Sequence, residues 1–216
     1  IYKYGGFYIG RYEAGSETKR VYDDSQTAAF VVQQDKYPYN YVQWGKGMGD
    51  ISEGAVYLSN SLYTGKTGYG VKSMLCTGAA WDSMLDFIKD SSHNVTSSRS
   101  WGNHYDSDTY KVYRGSLYSS TWSAADTTNG SDVTKDTSIL LTTGATERNS
   151  SKNIYDVAGN CWEWTTEAYG TNFRVIRGGG YDNGGSRTPA SYRVSDGYPT
   201  NSDRNYSFRP LLYVAL

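Results

Sequence analysis

The amino-acid sequence predicts an α+β fold with two helices, short antiparallel strands and long loops. Apolar side chains recur at helical spacing between residues 77 and 89, and alternate with polar ones between residues 6 and 13. Between residues 91 and 153, Ser, Thr, Gly, Asp and Asn dominate, which is typical of long loops. Helical periodicity, strand-like alternation and turn-forming residues thus occupy separate parts of the chain.

Both predicted helices have a candidate N-terminal cap. Ser52 is predicted to cap a first helix in which Ala55, Leu58 and Leu62 share one face. Thr77 is predicted to cap a second helix, the clearest amphipathic helix in the chain. The apolar stripe of this second helix is formed by Ala80, Trp81, Met84, Leu85 and Ile88.

Length and charge exclude several classes of protein. At 216 residues the chain is long enough for one sizeable core and has no linker, so we expect a single domain over residues 1–216. A formal net charge of −1 provides no positive surface for a phosphate backbone, so nucleic acid is not an expected partner. No apolar run approaches the roughly 20 residues that cross a bilayer, so we expect no membrane insertion.

Because the sequence begins at Ile1 and not at Met, we expect a mature form or a trimmed fragment.

The cysteines and histidines show no spacing that indicates a metal or dithiol site. Cys76 and Cys161 are far apart in the sequence, and we favour two buried free thiols over a disulfide between them. His93 and His104 fall in unrelated polar stretches and are predicted to be solvated loop residues. A Ser/His/Asp triad is compatible with the composition, but no GxSxG motif supports one.

Three segments of the second half carry a specific pattern. They are residues 155–164 (YDVAGNCWEW), residues 174–179 (RVIRGG) and the pair Phe208-Arg209. In residue type, order and spacing they resemble the formylglycine-generating-enzyme, or sulfatase-modifying-factor, group of proteins. Weaker similarity covers residues 7–13 and 78–81, so the resemblance spans nearly the whole chain. It implies a C-type lectin fold of the formylglycine-generating-enzyme type.

The same resemblance argues against catalysis. Enzymes of the group use two cysteines, five residues apart and upstream of the Phe-Arg pair, to bind copper and oxidise a substrate cysteine. The corresponding positions here are Ser186 and Ser191, and a serine hydroxyl cannot replace a thiolate as copper ligand or redox group. We therefore expect no enzymatic activity and no required cofactor. A residual enzyme of the formylglycine or iron-dependent sulfoxide-synthase type, with different ligands, is the alternative.

The resemblance also implies a possible structural calcium ion in the turn at residues 155–164. Asp156 and Glu163 offer carboxylates that flank the carbonyls of Gly159 and Cys161, and oxygen ligands suit calcium. In the alternative interpretation, Asp156 caps the turn and Glu163 pairs with an arginine. The Glu-Pro-Asn and Gln-Pro-Asp tripeptides of calcium-dependent sugar-binding lectins do not occur in the sequence.

The segment of residues 181–207 has the composition of a contact surface. It contains four Tyr, five Ser, three Gly and three Asn, and its only aliphatic residues are Ala190 and Val194. Two apolar strand candidates, residues 174–177 and 208–214, flank it, so we expect it to be held on a scaffold. Tyrosine with small polar residues is also the composition of antibody contact loops. We refer to residues 181–207 as the contact segment.

The contact segment lacks Lys, Glu, Gln, Trp and Met, although all five occur elsewhere in the chain. Mutation at the adenines of asparagine codons yields Tyr, Ser, Asp, Gly, Arg and others, but none of these five. This pattern resembles the variable proteins of diversity-generating retroelements, and places the variable region at about residues 174–213. Arg193, Val194 and Pro199 are predicted to hold the backbone. The predicted ligand-binding and variable positions are Tyr181, Asp182, Asn183, Ser186, Thr188, Tyr192, Asp196, Tyr198, Asn201, Asp203, Asn205 and Tyr206.

The sequence therefore predicts a ligand- or receptor-binding module whose polar C-terminal surface is diversified. The expected partner is a protein or glycan receptor on a cell surface. The expected location is extracellular, within a larger phage-tail or bacterial-surface assembly. A fixed glycan-binding adhesin and an ordinary long polar loop are the alternatives.

Overall fold

The structure is a computed structural model that describes residues 6–63 and 70–214. It contains the helices α1 (Gly54–Ser61) and α2 (Gly78–Ile88) among many short strands, which confirms the α+β prediction. The strands are β1 Tyr8–Ile9, β2 Gly15–Ser16, β3 Tyr37–Pro38, β4 Val71–Leu75, β5 Tyr110–Val112, β6 Ser116–Tyr118, β7 Trp122–Ala124, β8 Ser131–Val133, β9 Leu140–Leu141, β10 Ser150–Ser151, β11 Ile154–Tyr155, β12 Trp162–Tyr169, β13 Phe173–Arg177, β14 Arg193–Gly197, β15 Tyr206–Phe208 and β16 Pro210–Val214.

The two helices begin in different ways. At α2, Thr77 Oγ1 accepts a hydrogen bond from the Ala80 backbone N–H at 3.0 Å, so the predicted cap is confirmed. At α1, the chain enters the helix through Glu53 and Gly54, and Gly54 has a φ of +83°. Ser52 does not cap this helix, because the N-cap position falls on Glu53 and no side chain makes a capping hydrogen bond there. The prediction for Ser52 is wrong.

A four-stranded sheet in the order β14-β13-β12-β15 forms the centre of the second half. β12 and β14 both run antiparallel to β13, whereas β15 runs parallel to β12. One edge strand, β14, lies within the contact segment, and the other, β15, contains the last two residues of that segment. The scaffold is therefore the central pair β12 and β13, and the contact segment covers both edges of it.

A second sheet, in the order β1-β16-β4, brings the two ends of the described chain together. Its pairs are antiparallel, with Tyr8 opposite Leu212 and Leu211 opposite Met74. The other strands form the sheets β2-β3, β5-β8, β7-β6-β9 and β10-β11. The sheets β5-β8 and β7-β6-β9 lie within residues 91–153, the stretch predicted to contain long loops.

Two large apolar clusters support the sheets. One joins Tyr39, Trp44 and Trp164 with Ile176 and Phe208. The other joins the buried stripe of α2 to the rest of the core, and its members include Trp81, Met84, Ile88, Trp101, Val157, Ala190 and Leu211. The predicted stripe of α2 is buried throughout.

Cys76 and Cys161 are buried and free, as predicted. Burial raises the pKa of both thiols, so both remain protonated at neutral pH. Within residues 6–63 and 70–214, no helix has the length and apolar character needed to cross a membrane.

Candidate functional site

The contact segment is fixed to the scaffold by backbone contacts along its length. Arg177, at the end of β13, donates from Nη1 to the carbonyl of Ser191 at 2.7 Å and to that of Tyr192 at 3.3 Å. Arg177 is itself buried, and its Nε lies 3.3 Å from Glu167 Oε2. A buried guanidinium thus holds the middle of the segment through main-chain atoms, whatever side chains the segment carries.

The three residues predicted to hold the backbone have contacts that do so. Arg193 forms ion pairs with Glu167 at 3.0 Å and with Asp82 at 3.1 Å. Val194 packs against the core cluster that contains Trp164. The Pro199 carbonyl accepts hydrogen bonds from the N–H groups of Trp44 at 2.9 Å and Gly45 at 3.2 Å.

The twelve predicted ligand-binding positions differ in exposure. The exposed positions are Ser186, Tyr192, Tyr198, Asn201 and Asp203. The half-buried positions are Asp182, Asn183, Thr188, Asn205 and Tyr206. The side chain of Asp196 is outside the described residues. The exposed group provides the surface that a ligand can reach directly.

Tyr181 does not fit the prediction that the variable side chains face solvent. It is only 3% exposed and packs with Leu140 and Cys161 in a small cluster. Its N–H donates to the Asn160 carbonyl at 2.8 Å, and this bond turns the chain inwards directly after the three glycines that follow β13. Tyr181 is therefore an anchor of the segment.

Several half-buried side chains are engaged with one another. Asn205 Nδ2 donates to both carboxylate oxygens of Asp182, at 3.0 and 3.2 Å. Asn183 Oδ1 accepts from Trp162 Nε1 at 2.7 Å, and Thr188 Oγ1 donates to the Gly184 carbonyl at 3.1 Å. The bonds between Asn205 and Asp182 tie the two ends of the contact segment together, and the bond from Trp162 to Asn183 ties its start to β12.

A buried serine and histidine pair lies under the contact segment. Ser98 Oγ is 2.9 Å from His104 Nε2 and accepts the N–H of Ala190 at 3.1 Å. His104 is 1% exposed, so its predicted solvated position is wrong, whereas His93 is half-buried at the surface beside Asp90. The ring of His104 packs directly against Gly185. A Cβ at position 185 would lie 2.6 Å from this ring, so glycine leaves the space that the ring occupies. Neither Ser98 nor His104 is accessible to a substrate, and the pair anchors Ala190.

Burial lowers the pKa of His104 to about 4. Below pH 6.5 the unfolded chain binds a proton at this position and the folded chain does not, so folding stability falls as the pH drops from about 6.5 to 4. We expect this group to remove about 3 kcal/mol over that interval. Chemical denaturation at several pH values should show a weaker dependence for His104→Gln than for the wild type. Equal slopes for the two proteins would contradict the assignment.

The positions that hold cysteines in the related enzymes lie on the contact segment. Ser186 is exposed, with its Oγ 3.3 Å from Ser97 Oγ. Ser191 is half-buried and its N–H donates to the Val95 carbonyl at 3.0 Å. Hydroxyl groups at both positions supply neither a thiolate ligand nor a redox pair.

Two of the three sequence motifs, residues 155–164 and the pair Phe208-Arg209, meet in a buried ion pair. Arg209 contacts Glu163 through Nε at 3.0 Å and Nη2 at 2.6 Å, and both side chains are fully buried. Arg209 also donates to the carbonyls of Gly10 at 2.8 Å and Tyr155 at 2.8 Å. The motifs therefore join the first and last strands to β12.

Glu163 has the arrangement of the alternative interpretation, because it pairs with an arginine. Asp156 does not cap the turn of residues 155–164, because the hydrogen bond of its side chain is to Gly144, in another loop. Asp156 has a φ of +58° in the turn and accepts the Gly144 N–H at 2.6 Å, while Glu163 pairs with Arg209. Both oxygens of Glu163 accept hydrogen bonds from Arg209. Among the described residues, no group of three or more His, Cys, Asp or Glu is arranged to hold a metal ion. The structural calcium ion predicted at this turn stays a prediction.

Two tyrosines beside the contact segment were not predicted from the sequence. Tyr22 and Tyr41 line an open cavity together with Asp182, Asp203 and Arg204, and its volume is about 390 Å³. Tyr22 and Tyr41 come from loops far away in the sequence, and no periodicity or motif marked them. Tyr22 is exposed and Tyr41 is half-buried, and only the structure shows this.

Comparison with known proteins agrees with this architecture. Residues 97–211, more than half of the chain, match the sulfatase-modifying factor enzyme 1-like domain. The chain therefore belongs to this family, and the predicted formylglycine-generating-enzyme type of C-type lectin fold is confirmed. No curated protein is similar enough to be matched.

Among solved structures, Treponema denticola variable protein 1 is similar at 15% sequence identity, with a TM-score of 0.39. The similarity covers 67% of this chain and 48% of that protein, so this chain spans about half the length of that relative.

Proposed function

We propose that this chain is a ligand- or receptor-binding module that catalyses no reaction, with the contact segment as its binding surface. The observation that carries the proposal is the division of roles within the segment. Tyr181, Ala190 and Pro199 are buried or bonded to the scaffold, while Tyr192 and Tyr198 are exposed by 44% and 53%. Exposed tyrosines on a fixed backbone provide a large contact area at low entropic cost.

The proposal extends to the origin and partner of this surface. A retroelement diversifies the exposed positions, which accounts for the five residue types missing from the segment. The partner is a protein or glycan receptor on a cell surface, and the module acts outside the cell as part of a phage tail or a bacterial-surface assembly. Ser186 and Ser191 in place of two cysteines support binding without redox catalysis.

Sequencing the gene in sister clones tests the diversification. We expect substitutions at Ser186, Tyr192, Tyr198, Asn201 and Asp203, all explained by changes at adenine positions of a template. Buried anchors such as Ala190 and Pro199 should stay constant, because a new side chain there has no room or removes a scaffold contact. An invariant segment with no neighbouring reverse transcriptase, or equal variation at buried and exposed positions, would reject the proposal.

A further inference from the structure

The open cavity beside the contact segment combines fixed and variable parts of the surface. Its polar wall comes from Asp182, Asp203, Arg204 and Asn205, within the segment. Its aromatic wall is formed by Tyr22 and Tyr41, which lie outside the segment. A volume of about 390 Å³ falls within the usual range of small-ligand sites, whereas a flat protein interface needs no such concavity.

The two walls are joined by hydrogen bonds to main-chain carbonyls of the contact segment. The Tyr41 N–H donates to the Asp203 carbonyl at 2.9 Å, and Asn40 Nδ2 donates to the Arg204 carbonyl at 2.7 Å. The loop is held from behind by Arg20, whose Nε donates to the Asn40 carbonyl at 2.8 Å. The cavity therefore keeps its shape when the side chains of residues 203 and 204 change.

Tyr41 has an unusual backbone conformation for an aromatic residue. Its φ is +52°, in the left-handed region that bulky side chains rarely occupy. Residues held in this region cost free energy and cluster at binding sites, where the surrounding structure fixes them. Here the conformation places the Tyr41 ring edge-on to Tyr22, with ring centroids 6.4 Å apart and planes at 84°. Tyr22 remains 67% exposed, so its ring is available to a ligand.

The charges of the cavity select the chemical class of the ligand. Arg204 Nη2 lies 3.8 Å from Asp182 Oδ2, and Asp203 adds a second carboxylate. The three charges sum to −1 and face open solvent, so the cavity repels an anionic ligand and attracts a cationic one only weakly. A neutral ligand that carries both hydrogen-bond donors and acceptors can use all three groups.

We propose that this cavity binds one ring of a neutral saccharide. The hydroxyl groups bond to Asp182, Asp203 and Arg204, and the C–H face of the sugar ring packs on Tyr22. This inference rests on the proposed binding function and assigns its ligand class and its fixed contacts. In diversified relatives, Tyr22 and Tyr41 supply the constant stacking surface, while residues 203 and 204 set which sugar is preferred.

An array of neutral, sialylated and sulfated glycans, followed by titration calorimetry with the best neutral glycan, tests the proposal. We expect binding to neutral glycans with a dissociation constant that does not change between low and high salt. Tyr22→Ala should weaken it by about tenfold, because the stacking surface is lost. Tyr169→Ala is the matched control, since Tyr169 is 61% exposed and does not line the cavity. It should bind as the wild type does, and thermal melts should show both variants folded.

The outcomes separate this inference from the proposed function. Binding only to sialylated or sulfated glycans, no binding to the array, or equal affinity of Tyr22→Ala and wild type would overturn the saccharide site. Binding of a neutral peptide with the array blank would overturn it as well. If sister clones nevertheless vary at the exposed positions of the contact segment, the binding module stands and only the ligand class is wrong. If the segment is invariant and neutral glycans bind through Tyr22, a fixed adhesin replaces the diversified module.

Discussion

Replacing Arg209 with methionine is expected to lower the free energy of unfolding by about 3–5 kcal/mol at pH 7. Arg209 is the cation that faces Glu163, and both side chains are fully buried. Its removal leaves a buried carboxylate without a partner and takes two hydrogen bonds away from the carbonyls of Gly10 and Tyr155. An unpaired buried charge costs far more than a missing surface ion pair.

The loss of unfolding free energy in Arg209→Met should become smaller as the pH falls. Burial raises the pKa of Glu163, Glu13 and Asp156, the last to about 7, and the charge of Arg209 opposes each shift. Without Arg209 these pKa values rise further, so the folded variant takes up protons that the unfolded chain does not bind. Its stability relative to the wild type therefore increases from pH 7 towards pH 5.

Urea denaturation of matched variants measures this effect. Arg193→Met removes two ion pairs from a side chain that is 50% exposed, and should cost about 1 kcal/mol with little change between pH 7 and pH 5. Arg209→Lys keeps the charge without the planar fork and should recover part of the loss. If Arg209→Met does not fold at pH 7, its recovery at pH 5 still reports the buried carboxylates. An Arg209→Met variant as stable as Arg193→Met, or equally destabilised at both pH values, would contradict this account.

Local patterns in the sequence predicted the elements that depend on local forces. The stripe of α2 and its Thr77 cap follow from helical spacing and a hydroxyl at the right offset, and both are confirmed. Ser52 also carries a hydroxyl, but the backbone of Gly54 decides where α1 begins. Many strands have only two or three residues, so tertiary contacts and not propensity define them.

The candidate site was predictable as a segment but not residue by residue. Composition located the contact segment, because scarcity of aliphatic residues is a property of the whole stretch. The inward direction of Tyr181 depends on the glycine-rich turn before it and on the space beside Cys161, which sequence spacing does not record. The burial of His104 and the cavity at Tyr22 and Tyr41 arise from contacts between residues far apart in the chain.

Gly159→Ala is expected to destabilise the protein by more than about 3 kcal/mol or to prevent folding. Gly159 belongs to the Gly-Asn pair in the motif of residues 155–164 and has a φ of +75°. A Cβ at this position would lie 1.9 Å from the backbone carbonyl oxygen of Asn103, which cannot move aside as a flexible side chain can. That carbonyl also accepts the N–H of Asn160 at 2.9 Å, so any shift breaks a hydrogen bond in the turn before β12.

Gly170→Ala separates the cost of the close approach from the cost of the backbone conformation. Gly170 has a φ of +60°, but a Cβ there has no atom within 4 Å. This variant should lose only about 1–2 kcal/mol, the cost of placing an L-residue in the left-handed region. Thermal melts and soluble yields of the two variants, measured side by side, give the comparison. If the two variants lose the same amount of stability, the backbone conformation alone explains why glycine is needed at position 159, and the close contact with Asn103 contributes nothing further. If Gly159→Ala loses far more stability, glycine is needed at position 159 because the backbone of Asn103 packs directly against it. Asn160 then links this contact to the start of the contact segment, because its carbonyl accepts the N–H of Tyr181.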